Sequence, residues 1–413
     1  MTQKKLAIVN IGQLCTMDEN KGNGGLGILE NAIIIVQDGK IDWVGRAEDA
    51  ADQLKLITEI IDAKGRCAAP AFIDPHTHAV FTGSRHVEYE MRLGGRPYLE
   101  ILNAGGGILS TVEQVRKCTE DELYGQARIR ANLMMAMGTG TVEIKSGYGL
   151  SLEDELKMLR VIKRLEEDGV PRILPTFLGA HAVPAEYRDR KDDYVDIVVN
   201  EMLPEVARQK LATACDAYLE KGAFGFSDVK RILSKASELG LSVKMHAGQF
   251  NNLDGISLAV DLKALSVDHM EYYSSESLET LAASGVSVIL LPGAAFSLGM
   301  DFPDATPFID AGVNTAVATD CNPGTSYTEN ILNCATMAAV YMKMNCDHAL
   351  RAVTINAARA LGIDNNAGSI SAGKQADILI FDVDDYRALF YHFGVSHVLS
   401  VIINGNMVMD IHR

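Results

Sequence analysis

The chain has little of three things that announce a function early: paired cysteines, positive charge and long apolar runs. Its seven cysteines (Cys15, Cys67, Cys118, Cys215, Cys321, Cys334 and Cys346) are scattered, odd in number and free of any Cys-x-x-Cys pair. That spacing suits neither a disulfide framework nor a zinc finger, so reduced thiols and a cytoplasmic protein are expected. Basic residues number 38 against 54 acidic ones, a net charge of −16. A field of that sign argues against nucleic acid and anionic membrane surfaces as partners. It leaves room for a small anionic substrate, which one arginine can hold at contact distance. The apolar stretch 286–296 is too short to cross a bilayer and is interrupted by Pro292 and Gly293. Residues 1–10 lack the apolar segment and small-residue cleavage site of a secretory leader.

What is present is a globular composition, 47% hydrophobic and 22% charged, over 413 residues. That length predicts one large domain and a smaller one. Both ends read as β-structure. Residues 31–45 form two apolar runs around Asp38-Gly39, and 398–409 two more around Asn404-Gly405. Both dipeptides tolerate positive φ, which is the hairpin-turn signal. Neither end closes a core alone, so a small β-sandwich domain composed of residues 1–66 and 366–413 is expected. Between them, over 67–365, short β-branched runs alternate with amphipathic helices. Ser151 with Asp154 can form a capping box, and Leu152, Leu156, Leu159, Ile162 and Leu165 then line one helix face. Candidate strands lie at 71–73, 141–145, 174–178, 217–220, 242–245, 264–267, 286–291 and 315–318. Eight such strands with intervening helices predict an α/β fold, a (β/α)8 TIM barrel. An open doubly wound sheet is the alternative.

Polar residues gather where those strands end. The first runs into His76-Thr-His78, the second into Lys145-Ser-Gly-Tyr148, and the third ends at His181. The fifth ends at His246, the sixth at Asp268-His269 and the eighth at Asp320. Five of the ten histidines therefore occupy one rim, the mouth where a barrel collects catalytic groups. His76 and His78 stand i, i+2, so on extended backbone both imidazoles project to one side, as two ligands of one cation would. His246 and Asp320 complete a His3Asp set, a ligand number that leaves an open position on a catalytic metal. His269 is either a fifth ligand or a group that hydrogen-bonds water or substrate beside the metal. A second metal would need a bridge; Lys145 is the one candidate, against the plainer reading of an ion pair with Glu143. One metal is favoured. Arg85, seven residues past His78, can grip an anionic group with its planar fork. Tyr98 and Tyr148 read equally as rim or core aromatics. Gly105-Gly106-Gly107 lacks the Lys-Ser/Thr of a phosphate loop and reads as a mobile loop at the mouth. His86, His348, His392, His397 and His412 have no such placement and are expected to be structural.

This arrangement of histidines and aspartate resembles the amidohydrolase superfamily, as does the return segment 368–377. The stretches DPHTHAVFTGSR (74–85), NAGGGI (103–108), TVEIKSGYGL (141–150), TFLGAHAVP (176–184) and ATDCNPGT (318–325) narrow the resemblance to the imidazolonepropionase family. The resemblance implies one zinc or iron ion per chain, held by His76, His78, His246 and Asp320. It implies substrate contacts from Arg85, Tyr98, Tyr148, His181, Gln249, Asn322, Gly324 and Thr325, with His269, Asp320 and Gln249 near the reacting atoms. It also implies a small-molecule substrate, 4-imidazolone-5-propanoate, opened to N-formimidoyl-L-glutamate, and a homodimer. Family members commonly read His-x-Asp-Glu or His-x-Asp-Gln after the fifth strand; this chain reads His246-Ala247-Gly248-Gln249. Gln249 takes no proton at neutral pH, which leaves Asp320 and His269 as the expected proton carriers. The alternatives are a deaminase of a related nitrogen heterocycle and a barrel that keeps its ligands without turnover. A carbohydrate-active barrel is disfavoured, because no carboxylate pair stands out at the strand ends.

Overall fold

The computed structural model describes residues 5–96, 100 and 106–411; Tyr98, His412 and residues 103–105 of the glycine-rich motif lie outside them. The chain begins with β1 (Lys5–Cys15), β2 (Ile28–Gln37) and β3 (Lys40–Arg46), paired antiparallel. The turn between β2 and β3 is the expected one, with Asp38 at φ 51° and Gly39 at 80°. β4 (Glu59–Asp62) and β5 (Cys67–Pro70) run parallel to successive parts of β1. The rest of this sheet comes from the far end of the chain. β14 (Ile378–Phe381) pairs antiparallel with β5, and β15 (Val398–Ile403) and β16 (Asn406–Asp410) follow around Asn404-Gly405. The order β16-β15-β14-β5-β1-β2-β3 thus joins the two termini in one sheet. Its apolar interior draws on both: Ile8, Ile34 and Val36 from the start, Ile378, Ile380 and Ile402 from the end.

The eight strands expected between these ends are all present: β6 (Phe72–Asp74), β7 (Thr139–Lys145), β8 (Arg172–Ala180), β9 (Ala214–Leu219), β10 (Ser242–Ala247), β11 (Ser266–His269), β12 (Ser287–Leu290) and β13 (Thr315–Val317). They lie side by side in chain order, all parallel. Closure between β6 and β13 comes just past their ends, at a Thr77–Cys321 bridge. There His78 N–H donates to Cys321 O at 3.0 Å and Asp320 N–H to His76 O at 3.1 Å. The barrel wall is therefore closed by the two segments that hold His76, His78 and Asp320.

The two-residue period of a strand sorts this wall into two faces. Val142, Ile144, Cys215, Ala217, Val243, Met245 and Val267 belong to the main apolar core. Their alternates are Glu143, Lys145, Asp216, Lys244, His246 and Asp268, which are buried and polar. Apolar packing holds the strands against the helices, and the polar alternates are left to meet one another inside. The helix Leu152–Asp168 shows how the outer layer is fixed: the Ser151 hydroxyl accepts Asp154 N–H at 3.2 Å, and Leu156, Leu159, Ile162 and Leu165 are buried. No helix among the described residues is long and apolar enough to cross a membrane.

Candidate active site

His76, His78 and His246 are buried and bring one ring nitrogen each to within 4.8 Å of the others. β6 and β10 supply them, and two carboxylates aim two of the three. His76 Nδ1 donates to Asp268 Oδ2 at 2.6 Å, and His246 Nδ1 to Asp216 Oδ1 at 3.0 Å. With the proton held on Nδ1, each ring turns an Nε2 lone pair toward the common space, the geometry that orients a metal-binding histidine. Asp320 Oδ1 lies 3.6 Å from both His76 Nε2 and His78 Nε2. Asp320 itself sits at φ 51°, a left-handed backbone that a non-glycine residue keeps only under constraint. Burial pushes its carboxyl up to about 6, against the pull of His269 and His246. His76 Nε2 and His78 Nδ1 are buried without a hydrogen-bond partner among the described residues. Three imidazoles, a carboxylate and two ring nitrogens without partners fit a cation of the zinc or iron kind.

The charges around these ligands agree. Lys145 Nζ donates to Glu143 Oε1 and to Asp216 Oδ2, both at 2.8 Å, and lies 3.7 Å from Asp268 Oδ2. Lys244 Nζ donates to Pro75 O at 2.7 Å and lies 3.3 Å from Glu143 Oε1. Burial opposes the Lys145 charge, yet Asp216, Glu143 and Asp268 outweigh it and raise its pKa. Held this way, Lys145 is an ion-pair partner of Glu143 and Asp216. Glu143, Asp216 and Asp268 surround the two lysines, and Asp320 faces His76 and His78.

The remaining groups surround this centre from the substrate side. His181 stacks on His78 with ring centroids 4.8 Å apart, and its Nδ1 donates to Gly147 O at 3.0 Å. Burial, with His246 nearby, lowers its pKa to about 3, so the ring is neutral with Nε2 as an acceptor. Tyr148 is buried beside both rings, and burial raises its phenol above the usual range. The loop carrying Tyr148 hangs on Glu155, which accepts the N–H groups of Gly147, Gly149 and Leu150 at 3.1, 2.8 and 2.8 Å. Gln249 Oε1 accepts from Tyr218 Oη at 2.7 Å, which leaves its NH2 group to donate. Arg85 is clamped by Glu88 through Nε, at 2.9 Å, and Nη2, while Glu88 also takes the Gly107 amide at 2.8 Å. Its Nη1 lies against Gly324, where a Cβ would come within 2.3 Å of it. Asn322 shapes that turn, donating to Asp320 O at 2.7 Å and accepting the amides of Gly324 and Thr325 at 2.8 Å each. Tyr98 lies outside the described residues. Asp216, Glu155, Glu88 and Tyr218 are the functional neighbours that sequence reasoning missed.

A family model described as the amidohydrolase family matches residues 67–408. Imidazolonepropionase from Clostridium tetani is 41% identical over 99% of each chain, and that from Brevibacillus brevis 44% identical over 93% of this chain and 91% of the other. The chain belongs to the imidazolonepropionase family of amidohydrolases. Solved structures give the same fold at greater distance. A 5-methylcytosine deaminase from Klebsiella pneumoniae superposes with a TM-score of 0.76 over 98% of both chains at 17% identity. A zinc-bound adenosine deaminase from Xanthomonas campestris gives 0.74 over 98% of this chain and 93% of its own, at 20% identity. Membership of the amidohydrolases and the three-histidine cluster together make this a divalent-metal site.

Proposed function

We propose that the protein hydrolyses the cyclic amide 4-imidazolone-5-propanoate to N-formimidoyl-L-glutamate in histidine degradation, with one zinc or iron ion held by His76, His78, His246 and Asp320. The observation that carries it is a buried cluster of His76, His78 and His246, with Asp320 Oδ1 3.6 Å from two of them, in a chain that matches imidazolonepropionases over 99% of its length. When bound, the cation supplies the Lewis acidity that activates water at neutral pH. Water adds to the ring carbonyl carbon, the bond from that carbon to the ring nitrogen breaks, and the nitrogen leaves with a proton. Asp320 and His269 take the proton of the attacking water, and Asp320 returns it to the departing nitrogen. Arg85 and Tyr148 hold the propanoate carboxylate or the ring oxygen. His181 and Gln249 border the ring, and the turn at Asn322, Gly324 and Thr325 backs Arg85. The substrate is a small molecule, the location cytoplasmic and the assembly a homodimer.

Turnover of freshly prepared 4-imidazolone-5-propanoate, with metal content measured on the same sample, tests the reading. Formation of N-formimidoyl-L-glutamate at about one metal per chain is expected. Ammonia release from a related heterocycle in its place would make the protein a deaminase, and a metal-loaded protein with no turnover of either would overturn the reading. Arg85→Ala should raise KM about 10- to 100-fold, the worth of one charge-assisted contact. Unchanged KM would remove Arg85 from the substrate.

A further inference from the structure

Just past β11 the backbone takes two successive non-glycine residues into the left-handed region, His269 at φ 84° and Met270 at 64°. Such conformations are strained and persist only where the surroundings hold them. The holding contacts are specific. Met270 N–H donates to Ala247 O at 3.2 Å, and Tyr272 N–H to Gly248 O at 2.7 Å. A Cβ at Gly248 would sit 2.4 Å from Tyr272 O, so this path of the chain requires a residue without a side chain at 248. The turn folds Glu271 back onto the histidine it follows. His269 Nδ1 and Glu271 Oε2 are 3.6 Å apart, with the two side chains 3% and 4% exposed. Both atoms are buried, and neither has a hydrogen-bond partner among the described residues. The separation is an ion-pair distance, longer than a hydrogen bond. Other carboxylates around the mouth have partners of their own: Asp268 with His76, Asp216 with His246, Glu155 with loop amides, Asp74 with Thr319, and Asp320, which also acts on His269 at longer range, beside His76 and His78.

We propose that Glu271 is a positioning residue for His269, accepting the Nδ1 proton so that the ring keeps one tautomer and one orientation with Nε2 free for the reaction. A ring with no partner distributes its proton between two nitrogens; a buried carboxylate beside one of them selects it. Gly248 and Gln249 offer no acid on the neighbouring strand end, so the histidine is the group whose proton state has to be set. This inference rests on the role given to His269 above.

The test compares kcat and KM of Glu271→Ala, Glu271→Gln and His269→Asn in the metal-loaded enzyme, with 15N spectra of histidine-labelled zinc enzyme. Glu271→Ala should lower kcat roughly 10- to 100-fold with KM unchanged, a part of what general acid–base groups contribute. Glu271→Gln, whose carboxamide oxygen can accept the same proton, should restore most of the loss. The His269 ring should be protonated at Nδ1 in the wild type. Normal kcat in Glu271→Ala beside a crippled His269→Asn would overturn the inference and leave the reaction standing. So would an Nε2-protonated His269 in the wild-type spectrum, a result that needs no variant to fold. Normal turnover by His269→Asn would overturn the role of His269 itself.

Discussion

Replacing Lys145 by methionine removes a fully buried cation that Glu143 and Asp216 share at 2.8 Å each. Unpaired buried carboxylates are costly, and breaking one such pair destabilises by about 3–5 kcal/mol. Urea unfolding of Lys145→Met should show a loss of that size, a large part of the stability of an ordinary domain. Metal affinity, read by competition with a chelator, should fall roughly 10- to 100-fold as well, since Asp216 would no longer be held against His246. None of this was open to inspection in the sequence beyond the pairing of Lys145 with Glu143. The three clustered histidines were legible because histidine is scarce and each stood at a strand end. Asp216 was not, because within its strand it reads as one polar residue among buried ones. Only the parallel pairing of β9 with β10 sets that carboxylate against His246.

Among the elements, the loop after β7 depends on a single acid. Glu155 lies in the first turn of the helix Leu152–Asp168, and its carboxylate receives three backbone amides from 147–150. Glu155→Ala leaves those buried donors unmet at about 1–3 kcal/mol each. Thermal unfolding should come several degrees earlier, and KM should rise because Tyr148 and the Gly147 carbonyl that holds His181 move with the loop. If KM is unaffected, the loop does not position the substrate. The strands themselves were readable to within one or two residues at most ends, because β-branched runs bounded by glycine leave few alternatives. Both hairpin turns were readable as well, since Asp38-Gly39 and Asn404-Gly405 are among the few pairs that accept two positive φ values. The Ser151 cap formed only in part: Asp154 returns to the serine hydroxyl at 2.7 Å. The left-handed turn at 269–270 left no usable local signature, because it has none of the glycine or asparagine that marks such turns in sequence.

At the scale of the whole molecule, the metal site is held from within. Asp268 and Asp216 aim His76 and His246, and Lys145 anchors Asp216, through contacts made by the protein itself. Treatment with a strong chelator should abolish turnover while far-UV circular dichroism stays unchanged, and Tm should fall by the binding free energy lost. Collapse of the dichroism would mean that the cation builds the site it occupies. The sheet that joins the termini has a different kind of consequence, one of timing. β5 finds a partner on its second edge only when β14 arrives, through the pairing of Pro70 with Ile378. During synthesis the whole barrel separates those two residues, and ribosomes add roughly 5–20 residues per second. For some 15–60 s, by that rate, the first strands present an open edge to the cell, the surface on which chains pair wrongly with one another. Nascent chains arrested before residue 378 should therefore recruit chaperones or aggregate, and those released past 410 should not.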